Sequence, residues 1–320
     1  MSQYRVIRAE RLGLWLKSEA LNALVKAGLM LAALLYLFAE LSERGAGLLA
    51  LPGVFTFGGS VYVLALVGLM PLNWALEALK WKESLRPVSR LSFAEAFKGV
   101  LAGVACGIWM PQGAGAFVGR IGFSKNLGRR SALVPVAVGS ASQMVWTLLF
   151  GLCALIYWER QSAFDFPYGY AFLVLVIVLL CVSPFFAKRA FPRLKLWARF
   201  LKVNATCLAP ELLARVFVLA FVRYGIFFLQ YLLALWLFGV SLPVEVMMAG
   251  IAWVFLAKTV SPTFNALGDA GIREASSVLF FGMFTENVAP VVQASLVLWA
   301  LNRVLPALVG LFFLRKGKWL

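Results

Sequence analysis

A polar stretch, SPTFNALGDAGIREASSVLFF (residues 261–281), lies between two long apolar runs of this sequence. It contains the carboxylates of Asp269 and Glu274, the guanidinium of Arg273 and the amide of Asn265. A guanidinium binds phosphate through two parallel hydrogen bonds, and a carboxylate accepts hydrogen bonds from an amine or carries a proton. Because charges inside a bilayer are costly and usually functional, the stretch predicts a site for an anionic substrate.

A second stretch, WMPQGAGAFVGRIGF (residues 109–123), repeats this pattern. A proline ends a helix, glycines allow the chain to turn, and Arg120 follows on a short returning limb. A helix that begins inside the membrane directs unpaired amides and a partial positive charge at its N-terminus, which favours an anion. We therefore predict that Arg120 and Arg273 bind phosphate. Asp269 is predicted to cap the second returning helix, with Asn265 as the alternative cap.

The surrounding sequence predicts an all-α, polytopic membrane protein. Of its 320 residues, 62% are hydrophobic, and the mean hydropathy is +0.87. Apolar runs of about 20 residues suffice to cross roughly 30 Å of hydrocarbon as helices, and their continuity favours helices over a barrel. We predict six full spans, at residues 21–42, 54–79, 131–158, 168–187, 209–239 and 290–314.

Two further helical segments, 93–124 and 244–284, are each interrupted by a proline. Their second limbs, 114–124 and 272–284, reach roughly 20 Å at most, so we predict two re-entrant hairpins. Interrupted helices at corresponding places of two inverted halves point to the binding site of a transporter. The chain is predicted to be one transmembrane domain with an inverted repeat, divided into residues 1–53, 54–158, 159–208 and 209–320.

The basic residues predict the orientation. The chain has 30 lysines and arginines against 14 acidic residues, a net charge of +16. Most of the basic residues flank the apolar runs on one side, so both termini are expected in the cytoplasm, at the inner or plasma membrane. This pattern fits contact with anionic lipid headgroups at the cytoplasmic face better than contact with nucleic acid. The apolar run at 21–41 is too long for a signal core and is expected to be retained.

Several kinds of chemistry lack their usual residues. The sequence contains no histidine, which is the commonest general base and metal ligand. Its four cysteines are not clustered, and it has no nucleotide-phosphate loop. We therefore predict no cofactor, no metal and no catalytic residue.

The candidate substrate-binding residues combine the two hairpins with polar positions in the spans: Gln112, Gly113, Gly115, Arg120, Ser140, Gln143, Lys258, Asn265, Asp269, Arg273, Glu274 and Arg303. A structural alternative stays open for each of them, because glycines also permit close helix packing and buried charges also pair with one another. Arg120 could clamp Asp269 or Glu274, and the adjacent Arg273 and Glu274 are expected to need separate partners.

The segment LNWALEALKWKESL is placed at the cytoplasmic boundary of a span. Glu77 and Lys80 receive no role in the site, and Trp74 and Trp81 are interpreted as interface anchors. Arg223 interrupts another span and is interpreted as a helix–helix hydrogen-bonding or snorkelling group.

Three motifs, MPQGAGAFVGR, SASQMVWTLLFG and the stretch at 261–281, resemble the flippase-like family typified by the membrane half of lysylphosphatidylglycerol synthases. The resemblance runs from about residue 55 to the end. Its most specific part is the second hairpin, with Pro262, Gly268, Gly271, Arg273 and Glu274. The family usually has a glutamate after the glycine of its first loop, whereas Ala116 follows Gly115 here. Members that make the lipid carry a soluble aminoacyl-transferase domain, which these residues do not contain, so the resemblance implies translocation rather than synthesis.

The leading hypothesis is a lipid flippase or scramblase-like transporter. It would move an anionic or zwitterionic phospholipid, or a lipid-linked substrate, through a polar cavity between the hairpins. One alternative is an integral-membrane headgroup or glycosyl transferase, with Asp269 or Glu274 as acid or base. Another is a non-transporting accessory subunit of envelope lipid synthesis.

Overall fold

The computed structural model of the protein describes residues 57–110, 114–123, 131–161, 209–261 and 266–314. The predicted spans at 21–42 and 168–187 lie outside these residues, and so do three predicted site residues, Gln112, Gly113 and Asn265. Within the described ranges every regular element is a helix, as predicted.

The helices follow one another in the order α1 (Phe57–Leu85), α2 (Phe93–Trp109), α3 (Ala114–Gly122), α4 (Leu133–Gln161), α5 (Pro210–Leu237), α6 (Val244–Val260), α7 (Ala266–Phe281), α8 (Ala289–Trp299) and α9 (Leu305–Leu314), with a π-helical turn (Ala300–Val304) joining the last two.

Four helices in the described part of the chain are long and apolar enough to cross a membrane: Gly58–Leu85, Leu133–Gln161, Pro210–Leu237 and Ala289–Leu314. They coincide with four predicted spans, so the all-helical class is confirmed and four candidate membrane-spanning helices stand where spans are predicted. Their outer faces expose large apolar side chains such as Leu64 and Leu308, as expected of surfaces in contact with lipid.

Two packed helical pairs occur at the places where the interrupted segments are predicted. We call α2 with α3 the first hairpin and α6 with α7 the second hairpin. Helix α2 has 17 residues and packs against α3, which has nine. Helix α6 also has 17 residues and packs against α7, which has 16. Helices α2 and α6 end just before Pro111 and Pro262, since proline lacks an amide donor and disfavours a helical conformation in the preceding residue.

The second returning helix differs from its prediction. Helix α7 begins at Ala266 rather than at 272, so Gly268 and Gly271 lie inside the helix and not in the turn. Asp269 lies within its first turn rather than at the cap, where a carboxylate still stabilises the partial positive charge of the N-terminus. A glycine in a helix costs about 1 kcal/mol relative to alanine, so the proline and not the glycines determines where the chain breaks.

Glycines close the first hairpin. A Cβ atom added at Gly119 would overlap the backbone of Gly103, and one added at Gly115 would overlap the backbone of Gly107. Each helix thus presents two glycines four residues apart, the small-residue spacing that lets helices approach closely. Gly115, predicted as a substrate contact, is therefore a packing residue.

The order helix, hairpin, helix occurs twice, as α1 to α4 and as α5 to α9. Helix α1 packs against α5, its counterpart in the other half. Helix α4 packs against α6, and reciprocally α9 packs against α2. Because the last helix of each half covers the hairpin of the other, the two halves interlock around a common interior.

Candidate functional site

A polar cavity of about 240 Å³ lies between the two halves. The first half contributes side chains of α1 and α4, and the second half contributes α5, both helices of its hairpin, α8 and the π-helical turn. The wall consists of Asn73, Trp74, Gln143, Thr147, Arg223, Tyr224, Phe227, Phe255, Lys258, Thr259, Asp269, Arg273, Trp299, Asn302 and Arg303.

Positive charge dominates this wall. Four basic side chains come from four different elements of the second half, and a single carboxylate, that of Asp269, accompanies them. The basic residues are Arg223, Lys258, Arg273 and Arg303. In its described residues, the wall therefore carries an excess of three positive charges, which favours an anionic ligand.

An ion pair crosses the second hairpin at the cavity. The Lys258 ammonium on α6 lies 3.3 Å from a carboxylate oxygen of Asp269 on α7. Asp269 is 1% exposed, whereas the Lys258 side chain is 26% exposed. The lysine therefore keeps one side towards the cavity while it holds the two helices of the hairpin together.

Arg273 and Glu274 pair with each other, which corrects the expectation that they need separate partners. An Arg273 terminal nitrogen lies 2.7 Å from a Glu274 carboxylate oxygen, and both side chains are buried. Neighbours on a helix point about 100° apart, but these two side chains are long enough to curl towards each other. Arg273 faces the cavity, and Glu274 stands behind it.

Hydroxyl groups fix the backbone beneath Arg273. The hydroxyls of Ser276 and Ser277 hydrogen-bond to the Arg273 carbonyl at 3.0 and 2.8 Å. The Ser277 hydroxyl also lies 2.8 Å from that of Tyr231 on α5. These contacts attach α7 to α5 and position the guanidinium.

A second group of charges adjoins the cavity and is centred on Glu77 of α1. Its carboxylate contacts three cations: the Arg120 guanidinium of the first hairpin, the Lys80 ammonium at 2.7 Å and Arg223 Nε at 3.2 Å. Arg120 thus has a carboxylate partner, Glu77, that is not among the predicted site residues. All of these side chains except Arg223 are nearly fully buried.

Arg223 joins the Glu77 group to the cavity wall. Its terminal nitrogen donates to Gln143 Oε1 at 3.2 Å, and the Lys80 ammonium lies 3.4 Å from the same oxygen. Gln143, predicted to line the cavity, therefore does so while it accepts hydrogen bonds from the buried Lys80 and the half-buried Arg223.

The two tryptophans beside Glu77 are not interface anchors. Trp74 is 7% exposed and Trp81 is 2% exposed. The Arg223 guanidinium lies 5.7 Å from the Trp74 ring, and that of Arg120 lies 5.4 Å from the Trp81 ring, so each indole supports a buried cation.

The Glu77 group was missed because charged residues near the end of an apolar run usually mark the membrane boundary. Helix α1 instead continues past the predicted end at residue 79 to Leu85, since ion pairs neutralise its charges. A signal was present in the spacing of Asn73, Glu77, Lys80 and Ser84, which places four buried polar side chains on one helix face.

The π-helical turn brings the last helix to the cavity. An amide nitrogen of Asn73 donates to Asn302 Oδ1 at 2.9 Å, which ties α1 to this turn, and Arg303 follows in the wall. A π-helical turn inside an α-helix frequently marks a functional site.

The predicted site residues fall into three groups. Five line the cavity: Gln143, Lys258, Asp269, Arg273 and Arg303. Two are buried behind the wall: Glu274 pairs directly with Arg273 of the wall, and Arg120 is linked to Arg223 of the wall through Glu77. Ser140 is exposed on the surface of α4, and Gly115 packs between helices.

Comparison of the sequence with protein-family models gives no match, and comparison with curated proteins gives none either. Among the residues that the structure describes, no group of three or more Cys, Asp or Glu side chains is arranged to hold a metal ion. The chemistry on the wall is that of guanidinium and ammonium groups facing a small cavity, which suits the binding of phosphate or carboxylate oxygens.

Proposed function

We propose that this protein is a lipid flippase or scramblase-like transporter for an anionic or zwitterionic phospholipid or a lipid-linked substrate. The observation that carries the proposal is the basic cavity between the two halves, among helices whose outer faces are apolar. Its volume of about 240 Å³ lies below the roughly 300–1,000 Å³ of typical small-molecule pockets. Such a cavity suits a headgroup, with the acyl chains remaining in hydrocarbon.

The proposal includes six spans and two re-entrant hairpins in an inverted repeat. The hairpin helices have 17, nine, 17 and 16 residues. At 1.5 Å per residue they reach roughly 14 to 26 Å, less than the roughly 30 Å of hydrocarbon. The excess of basic residues on one side supports cytoplasmic termini in an inner or plasma membrane.

In the proposed mechanism, Arg273 and Arg303 bind the phosphate in the cavity. Lys258 and Asp269 exchange their mutual contact for contacts to the headgroup, or Asp269 and Glu274 couple transport to protons. Glu77 holds Arg223 at the wall and joins it to Arg120 of the first hairpin. Rocking of one interlocked half against the other would open the cavity alternately to each leaflet.

The resemblance of three motifs to the flippase-like family agrees with this proposal. Where that family usually has a glutamate, this chain has Ala116, and a carboxylate beside Arg120 is that of Glu77 from α1.

The test measures flipping of a fluorescent phosphatidylglycerol in proteoliposomes, by chemical quenching of the outer leaflet. Arg273→Ala is expected to abolish protein-dependent flipping, because it removes the guanidinium at the cavity. The same change leaves the Glu274 carboxylate buried without its partner, which destabilises the fold. The double variant Arg273→Ala with Glu274→Gln keeps the buried charge balanced and is expected to fold and not to flip.

Arg160→Ala is the matched control, since Arg160 is exposed at the end of α4 and lies outside the cavity. It is expected to flip lipid at the unmodified rate. Flipping at that rate by the double variant, with a monodisperse protein, would disprove the proposed role of the cavity.

A further inference from the structure

The wall of the cavity holds buried hydrogen-bond donors that have no partner among the described residues. They are the indole nitrogens of Trp74 and Trp299 and the Nε atoms of Arg273 and Arg303. All four groups can only donate. Because the large majority of buried polar groups in proteins are hydrogen-bonded, four such donors in one wall indicate a ligand that supplies acceptors.

Acceptors without a partner are fewer in the same wall. Asn73 Oδ1 is one, and the Tyr224 hydroxyl can act either way. A headgroup whose polar group is an ammonium can only donate, so it would leave the tryptophan and arginine donors unsatisfied. Phosphate oxygens only accept when ionised, so they match this wall.

The net charge of the site indicates how many phosphate groups are needed to neutralise it. Four basic groups and one carboxylate line the wall, an excess of three positive charges. Behind the wall, the carboxylates of Glu77 and Glu274 balance the cations of Lys80 and Arg120, so the described surroundings leave that excess in place. A phosphodiester carries one negative charge and a phosphomonoester about 1.5 to 2, so neither neutralises the cavity.

Arg303 is the basic group of the wall that no described ion pair neutralises directly. The other three basic groups of the wall each lie within 4 Å of a carboxylate, as Arg223 with Glu77, Lys258 with Asp269 and Arg273 with Glu274. No described carboxylate lies that close to Arg303, and its Nε has no described hydrogen-bond partner. A second phosphate group at Arg303 would supply both the charge and the acceptors.

We infer that the cavity selects a headgroup with two linked phosphate groups, a lipid diphosphate, over zwitterionic or singly charged phospholipids. This inference rests on the proposed function for the lipid part of the ligand. The unpaired donors of the wall and the charge excess are two separate observations that lead to it.

The test compares probes that share one tail. Binding of farnesyl diphosphate and farnesyl monophosphate to the detergent-purified chain is measured by titration calorimetry and thermal unfolding. The diphosphate is expected to bind at least about tenfold more tightly, since it adds charge-assisted hydrogen bonds. Inorganic diphosphate serves as the arm without a lipid tail and is expected to bind more weakly than farnesyl diphosphate.

Arg303→Gln is expected to lower the preference for diphosphate over monophosphate, while Arg160→Gln on the surface leaves it unchanged. Retention of the full preference in a folded Arg303→Gln protein would remove Arg303 from the site. Equal affinity for the two farnesyl probes, or the absence of binding, would overturn the inference. Inorganic diphosphate binding as tightly as the farnesyl ester would assign the cavity to a free anion.

The proposed function fails separately from this inference. If phosphatidylglycerol is flipped and Arg273 is required, but diphosphate is not preferred, transport stands and the ligand class is wrong. If diphosphate is preferred but no lipid is flipped in proteoliposomes, the ligand chemistry stands and transport is wrong.

Discussion

The two hairpins share one plan and differ in what their charges do. Both begin with a 17-residue helix, break before a proline and return with an arginine. In the first, Arg120 is directed at Glu77, away from the described wall of the cavity. In the second, Lys258, Asp269 and Arg273 all face the cavity.

The hairpins also close differently. Backbone lies against backbone in the first, where Gly119 meets Gly103 and Gly115 meets Gly107. In the second, the ring of Phe281 lies over Gly250, so a side chain rather than a main chain fills the contact. Relief of a backbone contact requires that a helix move, whereas relief of the contact at Gly250 requires only that the Phe281 side chain move.

Under the proposed function, this difference separates a scaffold from a binding element. The first hairpin is locked by its glycines and supports Arg223 through Glu77. The second presents charged groups of the cavity wall on helices held by side-chain contacts. Similar segments in the two halves of one chain therefore need not have similar functions, and the variants below test this assignment.

The largest effect is expected for Glu77→Gln. The change leaves Lys80, Arg120 and Arg223 without the carboxylate that they share, in a buried place. Removing one partner of a buried ion pair costs about 3–5 kcal/mol, so the free energy of unfolding should fall by about that amount. Chemical unfolding in mixed lipid–detergent micelles measures it.

Glu83→Gln on the same helix is the matched control. Glu83 pairs with Arg86 and Arg215, whose side chains are 62% and 61% exposed, so solvent screens these pairs. A change of about 0–1 kcal/mol is expected. Equal costs for the two variants would show that the Glu77 group does not organise the first hairpin.

Much of the fold follows from the sequence by simple physics. The prolines at 111 and 262 end α2 and α6 as predicted, because a missing amide donor acts locally. The four long helices follow from apolar length alone. The predicted start of α7, at residue 272, is six residues later than its start in the structure, at Ala266. The prediction placed Gly268 and Gly271 in the turn, but glycine is only a weak signal for a break in a helix.

Sequence alone gives only part of the candidate site, because it does not show which side chains meet in the folded protein. Sequence identifies costly residues, such as Arg273 and Arg303, but not which charge meets which. Glu77 and Arg120 are 43 positions apart, and only the packing of the first hairpin on α1 brings them together. The role of Arg223, on a third helix, depends on the same meeting.

The second-largest loss of stability is expected when a glycine at a hairpin contact is replaced by alanine, and the two hairpins should differ in this loss. Gly119→Ala should destabilise the protein by about 1–3 kcal/mol, because its Cβ atom would overlap the Gly103 backbone. Gly250→Ala should cost less, since the obstacle is the far end of the Phe281 ring. Thermal unfolding of both variants in the same detergent gives the comparison.

Gly107→Ala controls for the loss of glycine itself. A Cβ atom at Gly107 meets nothing within 4 Å, so this change should be neutral or slightly stabilising. If Gly250→Ala destabilises more than Gly119→Ala, the second hairpin is the more rigid one, and the assignment of scaffold and binding element reverses.

The smallest effect concerns the attachment of the second hairpin. Tyr231 on α5 and Ser277 on α7 meet through their hydroxyls at 2.8 Å, below Arg273. Tyr231→Phe removes a neutral hydrogen bond and should cost about 0.5–1.5 kcal/mol. A double-mutant cycle with Ser277→Ala isolates the coupling, because Ser277 also contacts the Arg273 carbonyl. If the second hairpin is held by weaker contacts than the first, we expect a coupling of about 0.5–1.5 kcal/mol, well below the effect of Glu77→Gln. A coupling as large as the Glu77 effect would mean that both hairpins are locked equally, and that the difference between them lies only in the direction of their charges.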